Sequence, residues 1–166
     1  GYTRMDEFGN TFYTEEADAF GKKIFEVLHR TKDQFALDKD YKINCEQIPG
    51  EQAALKMQKA DEMLYPDTVI KDLPLYGNQF IPLGIKTTLV ERIRIASLFD
   101  SYCNGGSIAH INIEAPFATF EQAWDMVNYI ADQGLTYFAF NVKIQACEKN
   151  HAFFGTKCPI CGGDVY

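Results

Sequence analysis

Cys147, His151, Cys158 and Cys161 are spaced Cys-x3-His-x6-Cys-Pro-Ile-Cys and followed by Gly162-Gly163. Thiolates and an imidazole converging on one point are the donor set that tetrahedral zinc takes. A Cys-x2-Cys pair on a tight turn can aim both sulfurs at one ion, and the two glycines free the backbone for positive φ. Cys147 and His151, one short loop upstream, would complete the four ligands. With every position filled by protein, the expected site is closed to water and structural. Two blander readings stand beside it. Cys158 and Cys161 would serve as a redox pair if they sat at a strand-to-helix junction of a thioredoxin-like unit, but only the short stretch 162–166 follows them. Asn150-His151 would be an ordinary turn if the histidine were not a ligand.

A second candidate is the turn Ile48-Pro49-Gly50-Glu51-Gln52-Ala53-Ala54, where an extended segment gives way to a helix. The first N–H groups of a helix have no intrahelical partner and carry partial positive charge, which makes such a turn an anion site. Glu51 opposes that reading unless it faces away, and an ordinary helix start is the alternative. Cys45 and Cys103 read as small buried thiols, His29 as a surface residue of the first helix, and His110 as a satisfied core histidine. Asn78 reads equally as a turn asparagine.

The elements that must position these residues are legible from pattern. Helices are predicted over 15–31, 51–64, 88–102 and 120–132, strands over 108–113 and 137–142, and a strand or extended approach over 39–47. Thr14 caps the first helix and Thr119, with Gln122 three residues on, begins the last. Ala17, Phe20, Ile24, Val27 and Leu28 recur at helical spacing. The stretch 67–84 reads as loop, punctuated by Pro74, Gly77, Pro82 and Gly84. Strands alternating with helices predict parallel pairing. Three strands are few for a closed structure, so a slice of a larger α/β barrel is expected, with 1–143 as barrel and 144–166 as the metal loop.

Bulk properties narrow the classes. The 166 residues are 46% hydrophobic with a net charge of -7. Lys and Arg are scattered, with Lys22-Lys23 and Arg92/Arg94 the nearest approach to basic clusters, so a nucleic-acid partner is not expected. No apolar run approaches the ~20 residues of a membrane helix, so no membrane partner is expected either. The five cysteines are an odd count, three of them in the last twenty residues. With no signal peptide apparent, this fits a metal site in a reducing cytoplasm better than a disulfide framework.

Three stretches resemble one family. YFAFNVKIQAC followed by CPICGG, NCEQIPGEQAALKMQKADEMLYP at 44–66, and LYGNQFIPLGIKTTLVERIRIASLFDSYCNGGSIAHINI at 75–113 are together similar to the C-terminal portion of anaerobic (class III, oxygen-sensitive glycyl-radical) ribonucleoside-triphosphate reductases, and the likeness runs from about residue 10 onward. The resemblance implies the C-terminal part of a ten-stranded α/β barrel with a terminal zinc-binding loop. It also implies reduction of ribonucleoside triphosphates to deoxyribonucleoside triphosphates for DNA synthesis. A thiyl radical on a central loop would do the chemistry, raised by a glycyl radical that an iron–sulfur, S-adenosylmethionine-dependent activating enzyme installs. The implied partners are that activase, the triphosphate substrates and, for the intact enzyme, a second subunit in a homodimer. The turn Pro49, Gly50, Glu51, Gln52, Ala53 would cradle substrate phosphates, and Glu46 would contact a substrate hydroxyl. The radical cysteine is expected upstream of residue 1 and the radical glycine beyond Tyr166, because Gly155, Gly162 and Gly163 do not match its motif. The chain is therefore expected to be an inactive fragment with no catalytic residue of its own. The family's common metal motif has four cysteines, and His151 stands here for one of them.

Overall fold

The computed structural model describes residues 2–67, 76–113 and 115–165. Strands β1 (Thr3–Met5) and β2 (Thr11–Tyr13) form an antiparallel hairpin that the sequence pattern did not announce. Its turn is closed by Asp6, whose Oδ1 accepts from the N–H of Phe8 at 3.0 Å and of Asn10 at 2.7 Å, while Gly9 takes φ 74. Helix α1 then runs over Glu15–Lys39. Its start is as predicted, with the Thr14 hydroxyl accepting from Ala17 N at 3.3 Å. Its end lies well past residue 31, because nothing in KDQFALDK breaks a helix. It stops where Asp40 turns left-handed at φ 53.

The segment 39–47, expected as a strand or extended approach, forms no strand: Lys39 ends α1, Asp40 turns left-handed, and among the described residues a single parallel bridge joins Glu46 to Gly106. Helix α2 (Glu51–Leu64) has the predicted bounds. Of the predicted loop 67–84, residues 68–75 lie outside the described residues. Helix α3 (Leu89–Asp100) is capped by Thr88, which accepts from Glu91 N at 3.2 Å.

Strand β3 (Ala109–Ile113), helix α4 (Phe120–Asp132) and strand β4 (Phe138–Val142) make one βαβ unit. β3 and β4 pair in parallel from Ala109↔Phe138 to Ile113↔Val142, as strand–helix–strand alternation requires. The core forms where α3 and α4 meet one face of this pair. Ile93, Ala109, Ile111, Ile130 and Leu135 are buried there, with Met126, Phe138 and Phe140 packed against them. Each large aliphatic group so buried contributes about 1.5–3 kcal/mol. Gly134, at φ 86, lets the chain leave α4 directly into Leu135 and β4.

A second cluster of Ile81, Ile95 and Phe99 ties α1 to α3, with Phe25 stacked on Phe99 and Tyr102 at ring distances of 5.5 and 5.1 Å. Gly21 allows that approach, since a Cβ there would lie 2.5 Å from the Phe99 ring. Arg94 bridges Asp18 of α1 at 2.6 Å and Glu91 at 2.7 Å. The apolar stripe on α1 is not buried within the described residues: Phe20, Ile24, Val27 and Leu28 remain 44–51% exposed. The parallel pair plus one bridge is less than the three strands expected, and no closed barrel is present among the described residues. Among them no helix is long and apolar enough to cross a membrane.

Candidate functional site

Two short turns build the metal centre. Strands β5 (Gln145–Ala146) and β6 (Ala152–Phe153) pair antiparallel and bring Cys147 and His151 to opposite ends of one tight loop. Cys147 N donates to His151 O at 3.3 Å, Asn150 N donates to Cys147 O at 2.8 Å, and Asn150 takes the left-handed φ of 58 that the loop needs. In the second turn Gly162 N donates to Cys158 O and Cys158 N to Gly163 O, both at 2.8 Å. Gly162 supplies φ 72. Gly163 has another reason to be small, because a Cβ there would lie 3.4 Å from Cys161 Sγ. Bridges from Lys157 to Asp164 and from Cys147 to Val165 lock the turns together.

The four ligand atoms lie within 4.8 Å of one another. His151 Nδ1 is 3.5 Å from the sulfurs of both Cys147 and Cys158, and Cys161 Sγ is 3.6 Å from Cys147 Sγ. Tetrahedral zinc with ordinary bond lengths sets S···N edges of about 3.5 Å and S···S edges of about 3.8 Å. The donor set therefore fits one four-coordinate ion, and His151 belongs to it. Cys147, Phe153 and Cys158 form a small buried cluster around the site, while Cys161 is exposed. Burial raises the Cys147 thiol, but backbone hydrogen bonds about His151 and Lys149 and the neighbouring thiols outweigh it and bring it down to about 6. At Cys161 the backbone hydrogen bond from Gly163 lowers the thiol, yet the Cys158 and Cys147 sulfurs and burial carry it above its ordinary value. One thiol in the cluster thus gives up its proton readily, as a metal ligand must. The Cys158–Cys161 turn lies between two hairpin bridges and opens no helix, unlike a thioredoxin-type pair.

Pro49, Gly50, Gln52 and Ala53 lie at the start of α2, as predicted. Gly50 is the N-cap and no side chain caps the helix. The first bond of this turn is Ala54 N to Gly50 O at 2.8 Å, so the N–H groups of Glu51, Gln52 and Ala53 have no intrahelical acceptor. Glu46 is exposed, beside Gly106. Two glutamines that sequence reading missed brace this region. Gln47 Oε1 accepts from Ile108 N at 3.0 Å, and its Nε2 donates to Asn78 O at 2.7 Å. Gln79 Nε2 donates to Ile108 O at 3.2 Å, and its Oε1 accepts from His110 N at 3.1 Å. These amides stand in for a backbone partner along the edge of β3, a role no local sequence signal marks. Asn78 Nδ2 donates to Ile48 O at 3.1 Å, so it is more than a turn residue.

His29 is half-buried, not on the surface, with Nε2 2.6 Å from Tyr102 O. Cys103 is buried as expected and Cys45 partly so. His110 is half-buried and bonded to Asn141 on the face of β3 away from the core. Arg92 donates to the carbonyls of Ile81, Pro82, Leu83 and Ile85 and so knits its own loop.

The fold and site define a class: a parallel α/β unit that ends in a Cys3His cluster able to hold a metal ion. The family model for anaerobic ribonucleoside-triphosphate reductase matches residues 3–166, and the chain belongs to that family. An anaerobic ribonucleotide reductase superposes on all of the chain with a TM-score of 0.86 and 36% identity, the chain covering 26% of that protein. The Thermotoga maritima enzyme with glycerol in its active site gives 0.85 and 36%, with 100% of this chain and 27% of that one covered. The Thermotoga maritima complex with dATP and CTP gives 0.83 and 36%, with the same coverage. The chain thus spans about a quarter of the length of these relatives. Comparison with curated proteins finds no match.

Proposed function

We propose that this chain is the C-terminal portion of an anaerobic reductase that converts ribonucleoside triphosphates to deoxyribonucleoside triphosphates in the cytoplasm, with residues 1–143 forming part of the barrel and 144–166 the metal loop. The observation that carries the proposal is likeness over the whole chain at 36% identity, beside a Cys3His cluster able to hold a metal ion. In the intact homodimer, a glycyl radical raised by the iron–sulfur activase generates a thiyl radical, and both radical residues lie outside this chain. Formate or a thiol protein supplies the two electrons as the 2′-hydroxyl leaves as water.

The residues present contribute binding and support. Cys147, His151, Cys158 and Cys161 would hold zinc, which would neutralise the thiolates and cross-link the two turns; four protein ligands would leave no open position for chemistry. The uncapped start of α2 receives substrate phosphates through the N–H groups of Glu51, Gln52 and Ala53, with Pro49 and Gly50 shaping the turn, and Glu46 contacts a substrate hydroxyl. The test is anaerobic assay of the intact enzyme, activated and given a reductant, with metal analysis in parallel. Deoxynucleotide formation and about one zinc per chain are expected. An activated, radical-bearing enzyme that leaves ribonucleoside triphosphates unreduced would overturn the assignment.

A further inference from the structure

Helix α4 has two faces with different chemistry. Its inner face is spent on the core, where Ile130 is fully buried and Met126 packs against the same cluster. Its outer face carries Phe120 and Trp124, whose ring centroids lie 6.1 Å apart with planes 15° from parallel. They are 74% and 54% exposed, and Trp124 is the only tryptophan of the chain. Side chains at i and i+4 share a helix face, so the helix itself holds the stack. Beside it Glu121, Asp125 and Asp132 recur at helical spacing, which sets them in one row along the flank of the aromatic pair. All three are exposed, and among the described residues none forms an ion pair. α4 contains no Lys or Arg to offset them.

A solvated helix face is ordinarily polar. An exposed stack of two large rings beside charged groups has instead the composition of a binding surface, since Trp and Phe are enriched at the centre of protein interfaces and the rim is polar. The rings already rest on each other, so less side-chain freedom is lost on docking. The row of unpaired carboxylates decides what can cover them. An apolar cover would strand their charges, whereas a surface bearing Lys or Arg would pair with them. The occupant that fits is a protein with an apolar pocket and a basic rim.

The chain path fixes where that partner would stand. β3 ends at Ile113 and the chain reaches α4 at Phe120, so the aromatic pair begins at the carboxyl end of the parallel strands. β4 ends at Val142 at the same end, and β5 of the metal loop starts at Gln145. The pair and the root of the metal loop thus share one end of the βαβ unit. We propose that Phe120 and Trp124, with the carboxylates of Glu121 and Asp125, are the docking surface for the activating enzyme. This rests on the reductase reading above, in which that enzyme must reach a glycine beyond Tyr166, past the metal loop.

The test uses the intact reductase with its activating enzyme under anaerobic conditions. Binding is measured by sedimentation for wild type, Trp124→Ala and Asp125→Lys, and the glycyl radical by electron paramagnetic resonance at limiting and at excess activating enzyme. Trp124→Ala is expected to weaken binding about tenfold or more, as loss of an aromatic anchor does. Asp125→Lys, at an exposed position that tolerates the change, is expected to weaken it about threefold to tenfold at low salt and less at high salt. Both variants should lose radical yield at limiting activating enzyme and regain it at excess, with zinc content and CTP binding unchanged. Folded variants that bind as tightly as wild type would overturn the docking surface and leave the reductase reading standing. In hydroxyl-radical labelling, Trp124 should react in the free reductase and be protected in the complex. Protection already in the free reductase would place another part of the enzyme over α4 and overturn the proposal. A wild type that acquires no glycyl radical from the activating enzyme would overturn the reductase reading and the docking surface together.

Discussion

Gly105→Ala is the most informative single substitution in this chain. A Cβ at position 105 would lie 2.9 Å from Cys45 O, 3.0 Å from Asn44 Cβ and 3.2 Å from Glu46 Cβ. The first contact is with backbone oxygen, so no rotamer change relieves it. The 44–46 segment must move by several tenths of an ångström, or the 2.7 Å bond from Gly105 N to Cys45 O must lengthen. Overpacking of this kind costs about 1–3 kcal/mol. Against it stands about 0.4–1 kcal/mol gained when glycine's freedom in the unfolded chain is removed. The net expectation is a loss of about 1–2 kcal/mol, with the displacement felt at Glu46, Gln47 and the turn into α2. Denaturant unfolding of the intact enzyme measures the first effect, and affinity for tripolyphosphate the second. Zinc content should not change, because the metal turns make no bond to this segment among those described. If the alanine variant proves more stable than wild type, the two segments do not meet as tightly as the geometry requires and the reasoning fails.

Cys158→Ser should release the metal and loosen the 147–165 turns while leaving the βαβ unit intact, as read by metal analysis and by proteolysis confined to the tail. Cys147 has a thiol pKa lowered from its ordinary 9.0 to about 6 in the folded loop, so its thiolate favours the folded loop fully above pH 9, and that contribution is lost progressively as pH falls from there through about 6. Protons compete with the metal for the same thiolates, so metal retention followed by a chromophoric chelator should weaken as pH falls. Arg94→Met should cost about 1–2 kcal/mol, the low end for a buried pair because Arg94 is partly solvent-exposed, and should leave Glu91 with only the Tyr13 N–H at 2.9 Å. Burial raises the Glu91 carboxyl, but Arg94 and the Tyr13 N–H more than offset it and hold it below its ordinary 4.5. Wild-type stability should therefore fall as pH drops from that value, and the Arg94→Met protein should show a weaker dependence in the same acid range.

Local chemistry made much of this legible. The threonine caps at Thr14 and Thr119 begin two helices with their hydroxyls on the expected backbone N–H groups, whereas Thr88, placed inside the third helix by its pattern, caps it instead. The metal cluster was readable because its spacing alone nearly fixes which turns can close. What was not readable depends on distant partners. Lys39–Gln47 has the composition of a strand but finds only one bridge, because Gln47 and Gln79 bond β3 through side chains where a backbone ladder was expected. His110 alternates correctly, yet its partner Asn141 comes from the far side of α4, 31 residues away. The stripe on α1 shows the same limit in reverse. Its period identifies a helix, but nothing in the period says what covers it.

That stripe bears on how the fold is held. Phe20, Ile24, Val27 and Leu28 on α1, with Met57, Met63 and Leu64 on α2, stay more than two-fifths exposed. Burial of each large apolar side chain is worth about 1.5–3 kcal/mol, so the two helices leave a large share of their potential stabilisation unrealised within the described residues. The βαβ unit does not share this shortfall, since Ile111 and Ile130 are at most 2% exposed. Hydrogen exchange on this chain should therefore separate the two regions, with slow amides in β3, β4 and the inner face of α4 and fast ones along α1 and α2. In the intact enzyme, where the matched relatives have about four times as much chain, the amides of α1 and α2 should slow toward those of β3. Equal protection of α1 and β3 in the isolated chain would show that α1 is held by its aromatic contacts with Phe99 and Tyr102 alone, and that its exposed stripe contributes nothing to its stability.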